Sequence, residues 1–322
     1  MNNVFLCANV PILILQIGIV CLACLALVVT LILVFSYVVF NNTFGRSEKL
    51  ASESNPIYGK YMDSMKEGAR YFYALNPQEV SIVSHDNLKL YGLFYENPSS
   101  RGTIIFMHGH HGNPCQDFGP VLKKFKEMGF SLLLPFHRAH GKSEGKYTTF
   151  GIKESKDCVG WAKFIAQKYP NRSIALHGVS LGGATVGMAS ADEDLPKEVK
   201  LIANDCGFTS PEAIVSSVRK IMKLPFFPFQ LIVRLYARVF AKFSLSENSA
   251  TKCYEKSTIP ALFIHGEADD YVPFYMGLEN YEKSNATDRV MISVKGAGHA
   301  LAYIEDTERV TRELTDFYNK HM

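Results

Sequence analysis

The sequence predicts an α/β fold: a mostly parallel, doubly wound sheet entered through an antiparallel hairpin and preceded by one membrane-spanning helix. Three observations carry this. Short apolar runs recur without alternation, the pattern of strands buried on both faces. Stretches with apolar residues at helical spacing separate them. A run of 31 residues without a charge, Val10 to Phe40, stands near the start of the chain.

The bulk numbers fit one large domain with an appendage. The chain has 322 residues and a net charge of +3, far from the basic footprint of a nucleic-acid binder. Of 7 cysteines, Cys7, Cys21 and Cys24 lie in or beside the apolar N-terminus. The other four form no C-x-x-C pair, which argues against a zinc site and a disulfide scaffold.

As a helix the charge-free run is about 45 Å long, against a hydrocarbon core of about 30 Å. A cleaved signal peptide needs a positive start and a much shorter apolar core; no Lys or Arg precedes this run. An uncleaved single-pass anchor is expected. Arg46, Lys49, Lys60 and Lys66 all follow the span, which leans toward a cytoplasmic domain. Enzymes on one N-terminal anchor also face outward, and the Asn-x-Ser/Thr matches at Asn41, Asn171 and Asn285 suit that case, so the side stays open. The expected division is an anchor over 1–45, a linker and surface helix over 46–75, and a domain over 76–322. A chain beginning near Ser47 is expected to be self-sufficient.

The domain opens with Val80–Val83 and Leu88–Phe94 around a turn, a hairpin pattern. The buried strands follow at Thr103–Met107, Ser131–Leu134, Ser173–Leu176, Lys200–Ala203, Ala261–Ile264 and Val290–Val294. Helical faces lie between them: Val121, Leu122, Phe125 and Met128; Cys158, Trp161, Ile165 and Tyr169; and, at the end of the chain, Val310, Leu314 and Phe317.

The chemistry sits just past strand ends, where ligands gather in open α/β sheets. Gly178-Val179-Ser180-Leu181-Gly182 follows a strand and opens a small-residue helix. That is G-x-S-x-G in a strand–turn–helix setting, which lifts a serine hydroxyl above the sheet on a strained turn. A serine needs a base. His299 follows the last strand and Asp269 the one before it, in the chain order Ser, Asp, His. Asp205, after the preceding strand, is the alternative acid. Two amides are needed for an oxyanion: Leu181 supplies one and His110, in His108-Gly109-His110-His111-Gly112, the other. The three histidines there lack further ligands at metal spacing, so no metal is expected, and no cofactor.

These motifs, with Gly266-x-x-Asp269-x-x-Val272-Pro273, Gly298-His299 and Arg138-Ala139-His140-Gly141-Lys142-Ser143, resemble the α/β-hydrolase superfamily. With the anchor, the sequence looks like bacterial single-pass α/β hydrolases of the YqkD type. The resemblance covers about 75 to 320 and implies an α/β-hydrolase fold with a cap, here over about 211–258. Ala139 and Phe136 depart from the usual glycine and aspartate near the pocket mouth. The cap carries Leu224-Pro225-Phe226-Phe227-Pro228-Phe229 and apolar residues from Ile232 to Phe243 at helical spacing. These suit either a lid for acyl chains and lipid headgroups or packing on the domain.

The expected activity is acyl transfer from an ester or thioester to water, with a small-molecule or lipid-like acyl substrate and the membrane as the partner of the N-terminal helix. The alternatives are a peptidase of the same fold acting on short peptides, and a catalytically silent tethered interaction protein. The oligomeric state stays open.

Overall fold

The computed structural model describes residues 2–46, 59 and 61–322. Helix α1 spans Asn2–Phe44. Between Ile12 and Val34 its side chains face outward, with Ile32 alone partly covered. Most of the linker expected after the anchor, 47–58 and 60, lies outside the described residues. The surface helix expected beyond it is α2, Met62–Ala74, which buries Met65, Ala69 and Phe72.

A hairpin of β1 (Gln78–Val83) and β2 (Lys89–Tyr95) leads into the sheet. Then follow β3 (Thr103–Met107), α3 (Pro114–Asp117), α4 (Gly119–Glu127) and β4 (Ser131–Pro135). Next are α5 (Ile152–Lys168), β5 (Ile174–Val179), α6 (Leu181–Ala189) and β6 (Val199–Asp205). The cap region holds α7 (Pro211–Ile221), α8 (Phe229–Val239) and α9 (Ala250–Tyr254). The chain closes with β7 (Ala261–Gly266), α10 (Phe274–Lys283), β8 (Arg289–Val294), α11 (Ala302–Glu305) and α12 (Thr307–His321).

Among the described residues, eight strands lie in the order β1-β2-β4-β3-β5-β6-β7-β8. Of the strand pairs in this sheet, β1–β2 and β2–β4 are antiparallel and the rest are parallel. The continuous apolar runs have this cause: β3, β4, β5 and β7 are buried at every position, since helices cover both faces. In β3, Ile105 and Met107 join one core with Trp161, while Ile104 and Phe106 join another with Phe125. The fold is the α/β-hydrolase fold that the sequence predicts.

The end of α1 departs from a free-standing anchor. Phe40 and Phe44 are fully buried. The Phe44 ring meets Phe150 edge-on at 4.9 Å between centroids, and Phe40 packs on Tyr147 at 5.4 Å. The Thr148 amide donates to the Phe44 carbonyl at 2.7 Å and the Arg46 amide to Lys146 at 2.9 Å. The Arg46 guanidinium donates to the carbonyl of Ser143 at 2.8 Å and also to that of Gly141. An aromatic in the last turn of an apolar helix reads alike whether lipid or protein surrounds it; here protein does. A chain beginning near Ser47 would lack both rings.

Phe44→Ala should therefore cost about 3–5 kcal/mol, read as a fall in the melting temperature of the detergent-solubilised protein, and a chain starting at Ser47 should give little folded material. A melting temperature within a degree of wild type would show that the ring does not hold the domain.

Candidate active site

Strand order reverses at β3, with β4 on one side and β5 on the other. The loops after β3 and β5 therefore diverge and leave a crevice at the carboxyl ends of the strands. Ser180 stands there, between β5 and α6, at φ 54° and ψ −112°. A non-glycine residue at positive φ costs roughly 1–3 kcal/mol. The Ser180 amide donates to the Asp205 carbonyl at 2.8 Å, and the Ala184 amide to the Ser180 carbonyl at 3.1 Å, which fixes the turn. The flanking glycines are steric requirements. A Cβ on Gly178 would collide with the Gly182 carbonyl, and one on Gly182 with the Met107 carbonyl of β3.

The structure brings Ser180, His299 and Asp269 together. His299 Nε2 lies 2.9 Å from Ser180 Oγ, and His299 Nδ1 lies 2.7 Å from Asp269 Oδ2. The other oxygen, Asp269 Oδ1, accepts the amides of Tyr271 at 3.0 Å and Val272 at 2.8 Å. His265 Nε2 stands 3.3 Å from Asp269 Oδ2 and 2.9 Å from the Val272 carbonyl. Burial pushes the Asp269 carboxyl up, but the His299 and His265 rings outweigh it and hold the group at about 2. An ionised Asp269 makes Nδ1 the protonated nitrogen of His299, so that Nε2 is the acceptor toward Ser180 Oγ.

Asp205 occupies a different environment. Its Oδ1 is buried and has no hydrogen-bond partner among the described residues, and burial pushes its carboxyl up to about 6. It lines the same cavity, but the His299 Nδ1–H donates to Asp269.

The loop after β3 is held from three sides. Asp117 Oδ2 accepts the Gly109 amide at 2.8 Å, and burial pushes that carboxyl up to about 6 as well. The His111 amide donates to His140 Nε2 at 3.0 Å. From the third side come the last residues of α1 and the one after it: His110 Nε2 donates to the Thr43 carbonyl at 2.8 Å, and His111 Nε2 to the Gly45 carbonyl at 3.1 Å. The two rings stack at 3.8 Å. Helix-end carbonyls lack partners of their own, so these ring donors satisfy them. Burial keeps both rings below the usual histidine range. The backbone amides of His110 and Leu181 engage no protein acceptor among the described residues.

A cavity of about 470 Å³ opens over Ser180, His299 and the His110 loop. Its walls are chiefly apolar, from Met65 of α2, Val121 of α4, Ile221 of α7, Leu301 and Tyr303. Tyr271 stands over His299, with ring centroids 5.2 Å apart. Sequence reasoning missed His265, Asp117 and Met65. Of these only His265 had a local signal, since it stands near the end of β7, four residues before Asp269; the other two reach the site through packing.

Residues 143–322 match the Prolyl oligopeptidase family. The chain is 27% identical to the uncharacterized protein YqkD of Bacillus subtilis over 217 residues, 67% of this chain and 70% of that one. It is 25% identical to the uncharacterized membrane protein YNL320W of Saccharomyces cerevisiae over 230 residues, 71% and 75% of the two chains. Among solved structures, the Pyrococcus furiosus esterase Pf2001 superposes with a TM-score of 0.63 at 24% identity, over 78% of this chain and 94% of that one, a likeness in fold.

Asp205 has a testable effect on stability. Its folded form binds a proton more tightly than the unfolded chain does, so stability falls as pH rises from about 4 to about 6 and is flat above. Asp205→Asn removes the buried charge. The variant should melt above wild type at pH 7, by on the order of 3 kcal/mol at most, and the gap should close toward pH 4. A gap that is constant with pH would mean the carboxyl does not titrate in this range.

Proposed function

Because the chain belongs to the Prolyl oligopeptidase family and is a hydrolase of the α/β-hydrolase superfamily, we propose that it is a membrane-anchored serine hydrolase acting on esters or thioesters. Ser180 is the nucleophile, His299 the base and Asp269 the acid that orients it. The observation that carries this reading is the continuous hydrogen-bonded line from Ser180 Oγ through His299 to Asp269, at 2.9 and 2.7 Å.

The chemistry follows from the geometry. Ser180 Oγ attacks the substrate carbonyl carbon while His299 Nε2 takes its proton. The carbonyl oxygen gains the charge and rests on the His110 and Leu181 amides. His299 returns the proton to the leaving oxygen or sulfur as the bond to it breaks, which gives an acyl-Ser180 ester. Water, deprotonated by the same ring, attacks that ester; His299 then returns the proton to Ser180 Oγ as the acyl–oxygen bond breaks, which releases the acid and restores the serine. Asp269 keeps the ring oriented and stabilises its charged form. The strain at Ser180 also speaks for catalysis over a silent interaction protein, which has no use for it. The membrane part rests on the outward-facing apolar side chains of α1 and on the description of the yeast relative as a membrane protein. The family match favours a second reading, a peptidase on short peptides.

A fluorophosphonate probe should label the wild-type protein and not Ser180→Ala, whose kcat should fall roughly 10⁴–10⁶-fold. Asp269→Asn should lose about 10⁴-fold in kcat, while Asp205→Asn stays within tenfold. Equal labelling of Ser180→Ala, or a reversal between the two aspartates, would overturn the assignment. Rates on p-nitrophenyl esters set beside short peptide amides separate the two substrate readings.

His110 is a positioning residue in this scheme, because its ring ties the loop carrying one oxyanion amide to α1. His110→Ala should lower kcat roughly tenfold or more with KM little changed. His110→Gln, which keeps a side-chain N–H of similar reach, should recover most of the loss. A KM effect alone, or no rescue, would count against it.

A further inference from the structure

We propose that α8 and the turn before it lie in the headgroup region of the same leaflet that α1 enters, so that the cap is a membrane-contacting surface. This rests on the membrane reading of α1 and goes beyond it.

The first observation is what α8 packs against. The Tyr236 hydroxyl donates to the Leu33 carbonyl of α1 at 3.1 Å. Phe229 meets Phe35 edge-on at 5.5 Å, and Phe240 meets Tyr37 at 5.5 Å. Those anchor residues all belong to the charge-free run. That run is about 15 Å longer than a hydrocarbon core requires, an excess of roughly ten residues. The stretch from about residue 31 to 40 is where the cap packs. The surplus length therefore has an occupant, and the cap sits at the level where the span leaves the hydrocarbon.

The second observation is the opposite side of the same helix. Leu231, Leu235 and Val239 recur every four residues and are exposed, so they form one ridge. Phe226 and Phe227 continue it, at 52% and 72% exposure. Contiguous apolar surface of this kind marks a contact region. Lys223, Arg238 and Lys242 are exposed around it, an arrangement of ring and aliphatic side chains edged with cations that suits an anionic lipid surface. A lipid leaflet is favoured over a second copy of the chain because the ridge is continuous with an apolar helix that already faces outward.

The test places a tryptophan on the ridge of the full chain. Trp161, the single native tryptophan, is 1% exposed and gives a constant background. Phe227→Trp and, separately, Leu231→Trp are reconstituted in vesicles of phosphatidylcholine and phosphatidylglycerol containing brominated acyl chains. The control is Lys320→Trp, beside Asp288 at the far end of the strands. Anchoring is scored in parallel by resistance to carbonate extraction. The expected result is extraction resistance, with emission from both ridge tryptophans quenched and the control unquenched. Quenching in an extractable protein would support the surface while overturning the anchor. Resistance with both ridge tryptophans unquenched would overturn the surface and leave the anchor standing. In that outcome red-shifted emission would place the ridge in water, and blue-shifted emission would place it against protein.

Discussion

The backbone at Ser180 is held where a side-chain-bearing residue is strained, and much of the fold is arranged to keep it there. The turn works only if β5 and α6 approach closely enough to expel any Cβ from Gly178 and Gly182. That approach in turn needs β3 beside β5, because the Met107 carbonyl forms the wall that Gly182 touches. The β6 neighbour contributes the Asp205 carbonyl that receives the Ser180 amide. Three adjacent parallel strands thus fix one serine, and the His108–Gly112 loop extends directly from the first of them. The strain is small beside the cores on either face of the sheet, which is why such a turn persists.

The loop opposite Ser180 depends on a more distant element. His110 and His111 give their ring protons to carbonyls at the end of α1, and Phe40 and Phe44 secure that end in the same core that holds Phe150. A helix whose side chains face outward through most of its length thereby becomes a structural part of the crevice at its last turn. The histidines suit the task because burial lowers both rings and disfavours their charged form, so each offers one N–H donor without placing a charge beside Ser180.

The sheet was legible in the sequence because strands buried on both faces leave uninterrupted apolar runs; Thr103–Met107 matches β3 residue for residue. The residues that meet in the crevice were legible because each sits in a short motif at a strand end. What was not legible came from long-range packing. Asp117 reaches back to the Gly109 amide across a turn and a short helix, and no motif marks it. Met65 enters the cavity wall from a helix that reads as a surface element. The last turns of α1 were read with the anchor, since apolarity reports that a side chain avoids water and is silent on whether lipid or protein receives it.

The two aspartates at the strand ends show how one sheet assigns different roles to the same chemical group. Both carboxyls are withdrawn from water, so desolvation raises both. Asp269 accepts two backbone amides through one oxygen and contacts His299 and His265 through the other. These donors favour its charged form and bring it to about 2. Asp205 uses its backbone carbonyl to hold the Ser180 turn, and its carboxyl, with one oxygen unpartnered among the described residues, stays near 6. An acid that orients an imidazole has to be ionised throughout the cycle, because a protonated carboxyl would no longer stabilise the imidazolium formed in the proposed reaction. Asp269 has the donors to remain so even in acid, whereas Asp205 takes up a proton below about pH 6. The difference between the expected acid, Asp269, and its alternative, Asp205, is one of hydrogen-bond donors, and those of Asp269 come from the Asp269–Val272 turn after β7 and from the two rings.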